Sequence, residues 1–369
     1  MRYKFSDLYY DDTKNAKKLK SSEYKNVGKH IIVDQGKALI AGYTDNEDGL
    51  YTDVPAIIFG DHTRNIKYID SPFFLGADGT KVLKSSLKNV NYKYLYYLLK
   101  NASIPDTGYN RHFKWLKELI FKYHSQEQQN QIVTILDKLD LTITKYREEL
   151  SLLEELAKAR FVEMFGTLHD NENRFNIVTI EEVCSIIKDG THQTPRYTED
   201  KINGYKFLSS KDVMSQKIDW KNIKYIPKDL HEKLYASIQP QRNDILMSKN
   251  GVNYGVAAVN DTDEVFDIYV SLALLRPKQL IDPVFFRCVI NSIETKRQFD
   301  MSIKGIGVPN LHLGEIKKTK IILPPMELQK QFVTFVKQID KSRLLNICLK
   351  SLVESVLKIR IFSEYKKSS

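Results

Sequence analysis

The chain has 369 residues, of which 28% are charged and 42% hydrophobic, and a formal net charge of +10. That length makes two domains the expectation, and the basic balance favours a polyanion such as nucleic acid without establishing one. No apolar run approaches the roughly 20 residues that a bilayer-crossing helix needs. The first residues are polar and charged, unlike a secretory signal, and the three widely spaced cysteines include no CxxC pair, which argues against a disulfide framework or zinc cluster and for a reducing cytoplasm.

Residues 1–124 read as a first head. Strand-like runs at 29–34, 54–59 and 66–69 are separated by glycine and aspartate turns. A tyrosine-rich helix follows at 92–99. Its Tyr92, Tyr94, Tyr96 and Tyr97 sit at helical spacing, which suits packing better than base stacking. A glycine-bearing loop at 106–111 and a short strand lead out of the head.

Residues 125–162 read as one long helix. Ile132, Leu136, Leu139, Ile143, Tyr146, Leu150, Leu153 and Ala157 alternate four and three apart, the spacing of a coiled-coil seam. Ser125, with Gln128 three residues on, forms a capping box at the start. A helix of that length cannot bury its stripe alone and needs a partner.

Residues 163–324 read as a second head, with strands at 205–208, 223–226, 244–247, 256–259 and 269–275, a helix at 283–299 and a glycine loop at 304–310. Pro324-Pro325 then opens a second long helix within 325–369. That helix repeats the first. Glu127-Gln128-Gln129-Asn130-Gln131-Ile132-Val133-Thr134 returns as Glu327-Leu328-Gln329-Lys330-Gln331-Phe332-Val333-Thr334, at a constant offset of 200 residues. Identities continue at Asp140/Asp340, Ser151/Ser351, Leu152/Leu352, Glu154/Glu354, Lys158/Lys358 and Arg160/Arg360. A gapless repeat means one architectural unit used twice. The second stripe runs through Phe332, Val336, Ile339, Val353 and Leu357, interrupted by Arg343, Asn346 and Lys350, polar seam residues of the kind that fix register. The expected fold is α+β: two α/β heads separated by an intramolecular antiparallel coiled coil of two long helices, in a pseudo-two-fold repeat. The pattern also allows each long helix to cover only its own head.

These residues resemble a specificity subunit of a type I restriction-modification system. The carriers are Pro324-Pro325-Met326-Glu327-Leu328-Gln329, the twin helices and the head–helix–head–helix order. In the second head they are Asp189-Gly190-Thr191-His192-Gln193-Thr194-Pro195, Phe207-Leu208-Ser209-Ser210-Lys211-Asp212-Val213 and the run Asn243 to Gly251. In the first head, Ile58-Phe59-Gly60-Asp61-His62-Thr63-Arg64, Ala77-Asp78-Gly79 and Gly108-Tyr109-Asn110-Arg111-His112 are similar to the family's target-recognition domains. His124-Ser125 departs from the proline pair at the first helix start. The resemblance implies that each head reads one half of a split double-stranded DNA target and that the coiled coil sets the gap. It also implies two modification subunits that methylate adenine with S-adenosylmethionine, and a restriction subunit that joins them. This chain would bind no cofactor and catalyse nothing.

The residues agree with that absence. There is no (Asn/Asp)-Pro-Pro-(Tyr/Phe) loop, no GxxxxGK[ST] phosphate loop and no HExxH, and Gly305-Ile306-Gly307 lacks the third glycine of a dinucleotide site. The eight histidines show no metal-ligand spacing. What is present is the chemistry of DNA reading, in which cations position the duplex and polar side chains read base edges. In the first head the candidates are His62, Thr63 and Arg64, with Tyr109, Asn110, Arg111 and His112. For the first three the competing reading is a turn in which Arg64 pairs with an acid. In the second head they are Thr191, His192 and Gln193, then Lys211, then Lys249, Asn250, Asn253 and Tyr254, which could equally be an ordinary hairpin, and finally Lys304 and Asn310. Two other functions fit the order of elements: a protein-binding adaptor, since fold does not dictate ligand, and a self-sufficient enzyme, which the missing motifs disfavour.

Overall fold

The structure, a computed structural model, describes residues 1–76, 78–171, 175–303 and 308–360, and for 350 and 352–360 the backbone alone. The chain divides into two compact units, one of Met1–Glu148 with the described residues from Ile347 onward, the other of Glu149–Asn346.

In the first unit a four-stranded antiparallel sheet has the order Tyr10–Asp11, Thr80–Lys84, Ala56–Gly60, Ile66–Ile69. A three-stranded sheet has the order Gly42–Thr44, His30–Val33, Phe73–Leu75, its last pair parallel. Arg2–Lys4 pairs with Ile120–Lys122 and ties the start of the head to its exit. The apolar run of Ala56–Gly60 is buried throughout because both faces of the strand are covered. Ile57 and Phe59 point into one core with Tyr94, Leu95 and Leu98 of the helix Tyr92–Lys100, while Ala56 and Ile58 point into another with Phe73 and Val82. Period-two alternation divides one strand between two cores.

The second unit has the same topology in another sequence. Its four-stranded sheet runs Cys184–Asp189, Leu272–Pro277, Ile245–Ser248, Ala257–Val259, and its three-stranded sheet runs Lys224–Ile226, Tyr205–Leu208, Phe266–Ile268, again with one parallel pair. Asn176–Thr179 pairs with Lys320–Leu323. In both units the first strand of the large sheet lies beside the fourth, then the second, then the third. Ile245 and Met247 point into one core and Leu246 into the other, the same division as in the first unit.

The repeated helix residues make repeated joints. The Gln129 and Gln329 amides are buried, and each donates 2.9 Å to the carbonyl five residues back, His124 O and Pro324 O. Asp140 takes Lys100 at 2.7 Å from the helix of the first head, and Asp340 takes Arg287 at 3.4 Å from that of the second. The tyrosine-rich helix packs on the frame as its spacing predicts: Tyr94 is fully buried, and Tyr97 donates 2.7 Å to Asp137.

The first long helix runs Gln126–Phe165 and the second Met326–Arg360. All eight predicted seam residues of the first are buried or half-buried. Within the second unit the two helices run antiparallel: Phe161 meets Phe332 at 5.5 Å between ring centroids, and Glu154 meets Arg343 at 2.6 Å. Ser125 and Gln128 form the capping box, with bonds of 3.4 and 3.2 Å.

Three expectations are corrected. The first long helix continues past residue 162, because Phe161, Met164 and Phe165 join the second core, and Gly166 at φ +70 ends it. The single helix expected at 283–299 is two, Pro283–Ile290 and Ile293–Ser302. Ser292 caps the second by accepting from Thr295 N, while the Asn291 amide donates back to Arg287 O. Each head also has a short helix before its last strand, Phe113–Lys117 and Leu313–Lys318, too brief to show a period. Among the described residues no helix is long and apolar enough to cross a membrane. Nor is any group of three or more His, Cys, Asp or Glu placed to hold a metal ion.

Candidate nucleic-acid interface

Backbone hydrogen bonds gather the polar loops of each head at one sheet edge, in the same way in both. In the first head Asp61, next after Ala56–Gly60, donates its N–H to Gly79 O (2.7 Å), and its carbonyl accepts from His112 N (2.8 Å). In the second, Lys249, next after Ile245–Ser248, donates to Ser271 O (2.9 Å), and its carbonyl accepts from Leu311 N (2.9 Å). Gly79 and Ser271 each stand directly before the fourth strand, and His112 and Leu311 each lie in the loop before the closing helix. A further loop joins each clamp: Gln35 Nε2 donates to Asp78 O (2.9 Å), and Ser210 N donates to Ser271 Oγ (3.0 Å). One clamp is thus built twice, with an acid at its centre in one head and a base in the other.

Asp61 is buried, and its carboxylate also accepts from Phe113 N at 2.7 Å. Around it, the His62 ring stacks on Tyr109 (4.9 Å, 12° between planes). Gly79, at φ +82, leaves the room His62 needs, since a Cβ there would lie 2.7 Å from the imidazole. Tyr109 is 88% exposed. Thr63 donates its hydroxyl to Gln35 O (2.5 Å). Arg64, at φ +60, pairs with Asp106 at 2.6 Å and donates to Ile104 O, so the turn-and-acid reading is the one the structure holds. Asn110 spends its amide on Thr107 O inside the same loop. Arg111 is exposed and makes no hydrogen bond or ion pair among the described residues. It lines a cleft with Thr13, Lys18, Asp78 and Lys81. His112 is a correction: it is fully buried, its Nδ1 3.0 Å from Asp61 O, and it supports the loop instead of meeting a duplex.

In the second head Thr191 joins Ile268 and Val270 through backbone bonds of 3.0 Å, and its hydroxyl accepts from Gln193 N (3.3 Å). Gly190 is required there because a Cβ would lie 2.3 Å from Ile268 O. His192 is exposed, 3.6 Å from Asp189, and Gln193 is exposed. Lys211 is exposed, with its ammonium 3.5 Å from Asn222 O. Asn253 is exposed, and its carbonyl accepts from Ser248 Oγ. Asn250 is half-buried, and its backbone bridges Asn310, which is exposed. Lys249 and Tyr254 are corrections. Lys249 is buried in an ion pair with Asp189, which ties two loops together. Tyr254 is buried, donates to Asp300 and lies beneath Lys296. Lys304 lies outside the described residues. Sequence reading missed Gln35, Ser271 and the cations Lys18 and Lys81. The signal for this edge in the sequence was a charged residue directly after each apolar strand, Asp61 and Lys249.

Fold and edges together define a duplicated scaffold that presents two different sets of polar loops, the layout of a binding subunit. A family model described as the type I restriction modification DNA specificity domain matches residues 6–155 and 172–354. The MjaVIII specificity subunit of Methanocaldococcus jannaschii is 24% identical over 298 residues, covering 72% of this chain and 69% of that protein. The MjaIX specificity subunit of the same organism is 23% identical over 301 residues, covering 74% and 69%. In fold, the chain is similar to the solved type I restriction-modification S subunit from M. genitalium, with a TM-score of 0.58, 16% identity and coverage of 97% and 95%. It is also similar to a chain from a structural study of type I system assembly and conformational transition, with a TM-score of 0.52, 14% identity and coverage of 97% and 95%. The chain belongs to the type I restriction-modification DNA specificity family, a non-catalytic class that carries DNA target-recognition domains.

Proposed function

We propose that this chain is the sequence-reading component of a type I restriction-modification complex in the cytoplasm. Each head reads one half of a bipartite double-stranded target. Two copies of a modification subunit, which supply S-adenosylmethionine, then methylate adenine where the chain directs them, and a restriction subunit acts through the same assembly. The observation that carries this reading is the clamp built twice. Two copies of one topology hold their loops by the same backbone bonds but fill them with different side chains, as reading two different half-sites requires. Cations and polar side chains both stand at these edges, the two kinds of group that DNA recognition uses for positioning and for reading.

The test is a methylation map of cells with and without the chain, its modification subunit present in both. The expected result is a two-part adenine-containing motif, methylated only when the chain is present. A map that does not change would favour the adaptor reading. Methyl transfer by the purified chain alone would revive the enzymatic one.

A further inference from the structure

We propose that Arg111 and Asn310 are the corresponding base-reading positions of the two heads, Arg111 reading a guanine in one half-site and Asn310 an adenine in the other. This rests on the DNA-reading function above and adds the identity of one base per head.

The correspondence follows from the clamp. His112 and Leu311 donate to it and are buried, at 0% and 1% exposure. The residue directly before each is exposed: Arg111 in one head, Asn310 in the other. Counted from the closing helices, which both start after a histidine (His112 and His312), the two loops differ by one residue. The equivalence is therefore one of hydrogen-bonded position and is hidden from a gapless alignment. Both positions are held on each side. Around Arg111, His112 N bonds Asp61 O and Asn110 N bonds Gly108 O (2.9 Å). Around Asn310, Leu311 N bonds Lys249 O and Pro309 O accepts from Gly251 N (3.0 Å). A reader must be fixed in this way to discriminate bases by hydrogen bonds.

Neither side chain makes a hydrogen bond or ion pair among the described residues, although the Arg111 charge, after Lys18, helps to lower the Asp78 carboxyl, whereas the neighbouring cations are paired. Arg64 holds Asp106, Lys18 holds Asp78 at 3.0 Å, Lys81 holds Asp11 at 2.8 Å, and Lys249 holds Asp189. A guanidinium fork matches guanine O6 and N7 in the major groove, and a carboxamide matches adenine N6 and N7. Lys18 and Lys81 line the cleft beside Arg111, each already paired with an acid.

The experiment maps methylation motifs in cells that carry the full-length chain and its modification subunit, comparing wild type with Arg111→Ala, Arg111→Lys and Asn310→Ala. The purified complexes are also titrated with matched and single-mismatch duplexes. Arg111→Ala is expected to relax one guanine in one half-site, with a loss of discrimination of about ten- to a hundredfold. Arg111→Lys, which keeps the charge and loses the fork, is expected to relax the same guanine while retaining most of the affinity. Asn310→Ala is expected to relax one adenine in the other half-site. The inference is overturned by equal weakening on every duplex with the motif intact, which is the behaviour of a phosphate contact. It is equally overturned by relaxation of both variants in one half, or at other bases. A wild-type map with no two-part motif would remove the DNA-reading function and this inference with it.

Discussion

Asp106 pairs with Arg64 in the first head. Its carboxyl is held below the ordinary carboxylate range, first by the Gly108 N–H and then by the Arg64 guanidinium. A group whose pKa falls on folding contributes stability that is complete above its unfolded value, about 4 for aspartate, and lost as pH falls through the lowered folded value. Amide exchange at Gly108 is therefore expected to stay slow down to about pH 4 and to quicken below it, after correction for intrinsic exchange. In Asp106→Asn that dependence should vanish; a Gly108 amide unaffected by pH in wild type would contradict the assignment. The cysteines give a second residue-scale expectation. Burial pushes the Cys184 thiol up to about 12 and raises that of Cys288, whereas Cys348 is exposed. Alkylation of the native protein should label Cys348 first, as read by peptide mass spectrometry; early labelling of Cys184 would place it at the surface.

At the scale of elements, each head depends on bonds between segments far apart in the chain. Asp61→Ala leaves the Phe113 N–H without its buried acceptor and is expected to lower stability by about 1–3 kcal/mol in denaturant titration. Gly190→Ala puts a methyl against the carbonyl of Ile268, backbone that cannot rotate away, so loss of stability is expected there even though alanine is the smallest possible addition. The aromatic cluster of Phe161, Phe165, Phe285 and Phe332 joins both long helices to the second head. Phe332→Ala should cost about 3–5 kcal/mol. A cost near zero would mean that the helices do not share that core.

For the whole molecule the expectations concern DNA. Phosphate contacts release counterions, so affinity should fall by roughly a thousandfold or more between 50 and 200 mM salt if several phosphates are engaged. Lengthening the first helix by about one turn between Leu139 and Tyr146 should alter the spacer between half-sites and leave the half-sites themselves unchanged. Motif mapping checks this, and an unaltered spacer would refute the helix as a ruler.

The amino-acid sequence alone determined the duplicated helix, its seam and the family. Period, repeat and identity are properties of the chain read along its length, and so Ile132 through Ala157 and the Gln129/Gln329 pair were legible without coordinates. It also placed some strands, because an apolar run such as 54–59 has to be buried whatever surrounds it, but not others, such as Tyr10–Asp11, Thr80–Lys84 and Cys184–Asp189. What only the tertiary structure decided is which polar loop residues face outward. His112, Lys249 and Tyr254 read as surface groups because they lie in polar loops, yet partners dozens of residues away bury them. Arg64 is claimed by Asp106, whereas Arg111 is left open. Burial and pairing depend on contacts between distant segments, and no local pattern records them. The bonds at the centre of each clamp join backbone N–H and C=O groups, which every residue but proline carries and no sequence distinguishes.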